Sequence, residues 1–267
     1  MPEPSAASSP TTSEGSGRPP LPARATSPAL VMFSGGSDSS LTASLLAERH
    51  TVVHLVTYSH QAMWFDHRCL HSLANLRKAH GEDKFVHEFI NIKDLMGRIF
   101  FRPLAGDLRR YGTYALPMCC GSCKLAMHVR SILYCHEHGI RYSADGSNAE
   151  LSELFPEQMV PVLHKYRELY ARYGIEYENP VFEVGRSDHR LFERGVTPKR
   201  DYKTEHVVYS NQHSCVAGLM LYGYTLAVGV PILGRSADKE AATSYIADKV
   251  ESFCVPYLDA ALAGRPA

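Results

Sequence analysis

The chain alternates short apolar runs with stretches of helical period. Ala29–Phe33 is a continuous apolar run of strand length, Val52–Thr57 is a second, and Phe85–Ile90 alternates apolar with polar residues. Ser39–Glu48 predicts a helix, and His67–His80 sets Leu70, Leu73, Leu76 and Arg77 at helical spacing. Ile92–Phe100 predicts a short helix, and residues 101–118 a Pro-, Gly- and Arg-rich loop. Gly121–His138 predicts a helix with Leu125, Val129, Ile132 and Leu133 on one face. Ile140–Ala144 predicts a short strand that ends at Asp145-Gly146-Ser147-Asn148. This order predicts an α/β fold with a parallel, doubly wound sheet. Ligands of such sheets bind beyond the carboxyl ends of the strands, which sets Ser34–Ser40 and Asp145–Asn148 against one pocket.

The pattern changes after residue 150. An amphipathic helix is expected over 156–175, interrupted by Pro161, then a helix over Arg186–Glu193, a loop over Lys199–Cys215 and a closing helix over Ala237–Phe253. Residues 1–27 hold six Pro and six Ser and almost no large apolar side chain, the composition of a disordered tail. The expected organisation is a tail (1–27), a nucleotide-binding domain (28–150) and a mostly helical C-terminal region that completes the active site (151–267).

Composition narrows the function classes. Of 267 residues 45% are hydrophobic, enough for a sizeable core. With 28 basic and 28 acidic residues the net charge is zero, which argues against a dedicated nucleic-acid binder. No apolar run approaches the ~20 residues that span a bilayer, and the N-terminus lacks a signal peptide's charged and apolar regions. Seven cysteines, an odd number, fit a reducing, cytoplasmic setting better than a disulfide framework.

The densest chemical signal is Ser34-Gly35-Gly36-Ser37-Asp38-Ser39-Ser40, between the first strand and the first helix. The glycines allow positive φ and close approach, and the N–H groups at the helix start suit phosphate oxygens. Ser34, Ser39 and Ser40 add hydroxyl donors. Asp38 beside a phosphate is explained by a bridging Mg²⁺, which takes carboxylate and phosphate oxygens together. The order SGGxDSS resembles the PP-loop of the N-type ATP pyrophosphatases, a Rossmann-like fold of the adenine nucleotide alpha hydrolase type. No Gly-Lys-Ser/Thr follows, so it is not a Walker A loop. The resemblance implies ATP binding by Ser34, Gly35, Gly36, Asp38, Ser39, Ser40 and Gly146, with cleavage of ATP to AMP and pyrophosphate.

Cys120-Gly121-Ser122-Cys123-Lys124 opens the helix that follows the loop. Thiols at a helix start next to a lysine are expected to ionise near neutral pH. That suits metal ligation, nucleophilic catalysis or sulfur carriage as a persulfide. No second CxxC is present, which argues against a Cys₄ zinc site. Cys215 is the third thiol of interest. The order PP-loop, CxxC-Lys, Asp-Gly-Ser-Asn, late Cys resembles ATP-dependent sulfur-transfer enzymes, namely the tRNA thiolases and the sulfur insertase of the lactate racemase pincer cofactor. The resemblance implies Asp38, Cys120 and Cys215 as catalytic. It implies sulfur handling by a persulfide pair, by a sacrificed cysteine, or by a [4Fe–4S] cluster on Cys120, Cys123 and Cys215, the version favoured here. Cys119 is a competing ligand, whereas Cys69, Cys135 and Cys254 are expected in the core.

The implied activity is a sulfurtransferase that adenylates a substrate oxygen and replaces it with sulfur. The acceptor expected is a small molecule or free nucleobase, with sulfide or a cysteine desulfurase as donor and the chain a homo-oligomer. Alternatives are tRNA thiolation, an amide- or nitrile-forming ligase whose cysteines hold zinc, and a nucleotide-sensing module without turnover. Most of the fourteen histidines read as surface or satisfied core residues, with His213 singled out by its nearness to Cys215. Two basic clusters, Arg186–Lys203 and Arg98–Arg110, read equally as anion sites or as solvated helix faces.

Overall fold

The computed structural model describes residues 27–60, 63–64, 66–152, 155–198, 214–216, 220, 223, 227 and 236–264. Residues 1–26 of the expected tail, and most of the loop expected over Lys199–Cys215, lie outside the described residues.

Strand β1 (Ala29–Met32) pairs in parallel with β2 (Val53–Ser59) and β5 (Tyr142–Ala144), with Val31 opposite both Leu55 and Ala144. Strand β4 (Phe85–Asn91) joins β2, and β6 (Glu176–Glu178) joins β5, giving the parallel order β4-β2-β1-β5-β6. A two-residue strand β3 (Met63–Trp64) lies outside this sheet. The fold is the doubly wound α/β sheet that the alternation predicts. The chain switches direction between β1 and β5, where such sheets open a crevice at their carboxyl ends.

Strand β1 is buried on both faces, which explains its unbroken apolar run. Leu30 and Met32 enter the core that holds Leu125, Val129 and Ile132 of α5 (Met118–Glu137) and Tyr166 and Leu169 of α7 (Val160–Arg172). Ala29, Val31 and Phe33 enter the opposite core with Leu41 and Leu46 of α1 (Ser37–Arg49) and Leu73 and Leu76 of α2 (Cys69–His80). Cys69, Cys135 and Cys254 are buried, as expected of packing residues.

Several elements depart from the sequence pattern. The loop expected over 101–118 contains α4 (Leu104–Tyr111) and a 3₁₀ turn (Gly112–Ala115), after the short α3 (Lys93–Met96) and a π turn (Gly97–Phe101). Asp107 of α4 is buried against Lys249 of α9 (Ser236–Lys249), whose Nζ lies 2.8 and 2.7 Å from the two carboxylate oxygens. That long-range ion pair orders a segment whose composition alone reads as loop. Helix α5 begins at Met118 rather than Gly121, so Cys119 and Cys120 lie inside its first turn. The long helix expected over 156–175 is a 3₁₀ turn (Pro156–Gln158) followed by α7, in whose first turn Pro161 lacks an N–H that would bond within the helix anyway. The closing helix runs beyond Phe253, through a π turn (Val250–Cys254) into α10 (Val255–Ala263).

Strand β6 lies past the boundary expected at residue 150 and is the fifth strand of the main sheet. Two short helices flank it, α6 (Ala149–Ser152) and α8 (Ser187–Glu193). Strand β7 (Ser214–Cys215) pairs antiparallel with β3, with Cys215 opposite Met63. No helix among the described residues is long and apolar enough to cross a membrane.

Candidate functional site

After β1 the chain turns through Ser34–Gly36 before α1. Gly35 has φ 82°, a left-handed conformation that a side chain would strain. Gly36 caps α1 without a side-chain hydrogen bond, so no cap takes up the first-turn N–H groups. The loop's own serines hold its shape. Ser34 Oγ and Ser39 Oγ are 3.2 Å apart, Ser39 Oγ donates to the Gly36 carbonyl at 3.1 Å, and Ser72 Oγ donates to the Gly35 carbonyl at 2.7 Å.

The turn after β5 presses on this loop from the side. A Cβ on Gly146 would lie 2.6 Å from the Ser39 backbone nitrogen and 2.8 Å from the Asp38 carbonyl carbon. Only glycine fits there. Asn148 Nδ2 donates to Asp38 Oδ2 at 2.7 Å, and the Asn148 backbone N–H donates to Gln158 Oε1 at 2.9 Å.

Asp145 anchors the turn and is 1% exposed. Its carboxylate accepts from the Ser147 N–H at 2.9 Å, Tyr177 Oη at 2.8 Å and Asn179 Nδ2 at 2.6 Å, and it pairs with Lys124 Nζ at 2.5 Å. Burial alone would raise its pKa, but the adjacent ammonium and these donors hold it well below the usual carboxylate range. The Lys124 charge is therefore engaged with Asp145. Sequence reading missed this anchor, because Tyr177 and Asn179 come from β6 and its exit, a strand it did not find.

A cavity of about 230 Å³ lies between the two turns. Ser34, Gly36, Asp38, Ser39 and Gly146 of the expected ATP-binding residues line it, together with Ser37, Ser147 and Lys124. Gly35 and Ser40 do not, and Ser40 Oγ is buried without a hydrogen-bond partner. Met32, Phe33, Val56, Tyr58 and Met127 form an apolar wall. Asp38 supplies a carboxylate at the loop, which fits the Mg²⁺ preference for one carboxylate plus substrate phosphate oxygens.

A second cavity, of about 170 Å³, adjoins the first. Cys119, Cys120, Cys123 and Cys215 line it with His60, Met63, Met96 and Glu157, and it shares Lys124, Met127 and Gln158 with the first. The β3–β7 pairing carries Cys215 to α5. The structure thus brings together the three thiols expected from sequence and Cys119, the expected competing ligand.

Burial works against the ionisation expected of Cys120 and Cys123. Burial is the largest influence and pushes Cys119 up to about 12, and Cys120 and Cys123 well above the ordinary thiol value. Glu157 and the neighbouring thiols push in the same direction, while Lys124 offers Cys123 only a small opposing effect. Among the described residues no three His, Cys, Asp or Glu side chains are arranged to hold a metal ion. Nothing among the described residues supports the [4Fe–4S] cluster expected on Cys120, Cys123 and Cys215, although the three thiols line one cavity.

His213, Lys199, Arg200 and Lys203 lie outside the described residues. In the basic clusters Arg194 pairs with Glu48, Arg190 with Glu193, Arg98 and Arg102 with Asp94, and Arg110 with Asp248. His128 is buried with its Nδ1 3.2 Å from Tyr170 Oη, and desolvation lowers its pKa to about 3, leaving it neutral.

No protein-family model matches the chain, and no curated protein matches it. Among solved structures, one described as a predicted subunit of a tRNA methyltransferase from Methanocaldococcus jannaschii is 20% identical, with TM-score 0.41, over 62% of this chain and 76% of that one. NMN synthetase from Francisella tularensis is 14% identical, with TM-score 0.34, over 80% and 90%.

Proposed function

We propose that this chain is an ATP-dependent enzyme of the PP-loop kind. In this reading it adenylates an oxygen of a small-molecule or nucleobase acceptor, releases pyrophosphate and replaces the oxygen with sulfur. One observation carries the reading: the cavity at the SGGxDSS loop adjoins a cavity lined by four thiols, and the two share Lys124, Met127 and Gln158. In this reading, an activated carbon formed in the first cavity meets a nucleophile carried by the adjoining one.

In the first half-reaction the loop N–H groups and the Ser34 and Ser37 hydroxyls bind phosphate oxygens, while Ser39 holds the loop's shape. Asp38 would hold Mg²⁺, which would supply neutralisation of phosphate charge. Such catalysis is mainly positioning and charge stabilisation. The acceptor oxygen attacks the α-phosphorus and pyrophosphate leaves.

In the second, Cys120 carries a persulfide received from a desulfurase persulfide, whose own thiolate departs. The terminal sulfur attacks the adenylated carbon, a C–S bond forms, and AMP leaves with the acceptor oxygen. Cys215 thiolate then attacks Cys120 Sγ, which releases the thiolated product and leaves a Cys120–Cys215 disulfide. A dithiol reductant returns both thiols.

The test is pyrophosphate and AMP release from Mg·ATP across nucleobase and small amide acceptors, with sulfide or a desulfurase persulfide, and with ammonia in parallel. Sulfur-dependent turnover supports the reading, and ammonia-dependent turnover replaces it with the ligase. Turnover only with tRNA makes RNA the acceptor. ATP binding without pyrophosphate release under any condition reduces the chain to a nucleotide-binding module.

A further inference from the structure

Strand β4 ends the main sheet on one side, and among the described residues β2 is its one strand neighbour. Its register with β2 runs without a bulge from Phe85 to Asn91. The Ile92 N–H donates to the Ser59 carbonyl at 2.9 Å, which sets the phase of the ladder. Val86, Glu88 and Ile90 therefore turn their backbone groups to β2, and Phe85, His87, Phe89 and Asn91 turn theirs to the outer edge.

Native sheets guard such edges with short strands, charged side chains, Pro or bulges. The opposite edge is guarded in this way, since β6 has three residues and two of them are glutamates. Strand β4 has seven residues and no Pro, Lys or Arg. Two of its exposed side chains are large and apolar, Val86 at 41% and Phe89 at 45% exposure. Helix α2 adds exposed Leu70, next in sequence to Cys69, whose Sγ lies 3.9 Å from His87 Nε2. A long unguarded edge flanked by exposed apolar side chains marks a site of strand addition.

The strand itself says what it fits. A two-fold axis perpendicular to the sheet lays a second β4 antiparallel on the first. Such an axis sets odd-numbered residues against odd-numbered ones, so outward backbone groups meet outward backbone groups. Centred on Glu88, the pairing uses the whole strand. Phe85 then meets the partner's Asn91 and His87 the partner's Phe89, at the positions that exchange hydrogen bonds. Val86 meets the partner's Ile90 on the other face, where Glu88 accepts from Tyr134 Oη of α5 at 2.7 Å. Both exposed apolar side chains thus gain a cross-strand neighbour, Val86 an aliphatic one and Phe89 an imidazole. The chain's net charge is zero, so two copies do not repel at long range. One pair opposes the contact: Glu88 faces the partner's Glu88 across the axis, and like charges directly opposite are destabilising.

We propose that β4 is a dimerisation edge, at which two copies of this chain join β4 to β4, antiparallel and centred on Glu88, into one continuous sheet. The inference is independent of the reaction proposed above.

The test is sedimentation equilibrium of the full chain between about 1 and about 100 µM, with hydrogen–deuterium exchange of residues 85–91 at both ends of that range. The expected result is a monomer–dimer equilibrium in which the amides of 85–91 exchange more slowly in the concentrated sample. Phe89→Lys and Val86→Lys each set a cation at the joint and weaken dimerisation about tenfold or more. Both side chains are exposed in the single chain, and circular dichroism checks that the variants fold. Glu88→Gln removes the like-charge pair, keeps an acceptor for Tyr134 Oη and tightens the dimer about threefold or more. A chain that stays monomeric throughout overturns the proposal, as does a dimer that Phe89→Lys leaves intact. A dimer that Glu88→Gln loosens or leaves unchanged overturns the pairing about Glu88. The exchange readout needs no variant: a dimer whose 85–91 amides exchange alike at both concentrations joins elsewhere and also overturns it.

Discussion

Asn148 donates from Nδ2 to Asp38 Oδ2 at 2.7 Å, across 110 residues of sequence. The carboxylate suited to magnesium is thus aimed by the turn after β5, and the SGGxDSS loop is half of a two-turn device. Asn148→Ala removes this donor and the acceptor for the Leu151 N–H. We expect Mg·ATP affinity to fall about tenfold while stability drops by about 1 kcal/mol. Calorimetric titration with Mg·ATP beside a denaturant curve checks both; unchanged affinity would detach Asn148 from the metal.

Gly146→Ala tests the close approach of the two turns. Its Cβ would come 2.6 Å from the Ser39 nitrogen, against backbone that cannot rotate away. Overpacking of this kind costs about 1–3 kcal/mol. The expected outcome is a folded protein with a lower melting temperature and ATP binding reduced far more than for Asn148→Ala. A variant that melts and binds as the native chain does would show that the turns separate freely.

Lys124→Met leaves the Asp145 carboxylate buried without its cation. Removing one partner of a buried pair costs about 3–5 kcal/mol. Adding Asp145→Asn to Lys124→Met restores part of the loss, because the orphaned charge goes with it. A double-mutant cycle by chemical denaturation measures the coupling, and additive single losses would contradict the ion pair.

Acid lability follows from His128. In the folded chain its pKa is lowered to about 3 from 6.5, so on acidification the unfolded chain takes up the proton first. Stability is therefore fully present above about pH 6.5 and falls as pH drops toward 3, by about 2 kcal/mol at about pH 5. His50, His54, His80 and His87 are lowered as well and add to the slope. His128→Gln should flatten the stability curve between about pH 6.5 and pH 4 relative to the native chain. Parallel curves for the two proteins would refute this.

Local pattern carried the sequence reading where the physics is local. The β1 run is unbroken because both faces are buried, and Gly35-Gly36 turns the chain before α1 within a few residues. It failed at α4, where a buried Asp107–Lys249 pair orders a loop-like composition. It failed again at β6, whose three residues are too few to show a period. It also expected ionised thiols from a helix start and a lysine. In the folded chain, burial of the thiols outweighs both, and Lys124 is bound to Asp145.

The sequence by itself determined the parallel α/β class and the strand, Gly-Ser turn and helix over residues 29–48. Each of these is written in contiguous residues, through hydrophobic period, backbone permissiveness and side-chain chemistry. Only the tertiary structure decided that Asn148 aims Asp38, that the β3–β7 pairing brings Cys215 to the CxxC helix, and that Glu157 lines the same cavity as the thiols. Those relations join residues far apart in the chain. Their energies come from desolvation and close packing, which exist only once the elements are assembled.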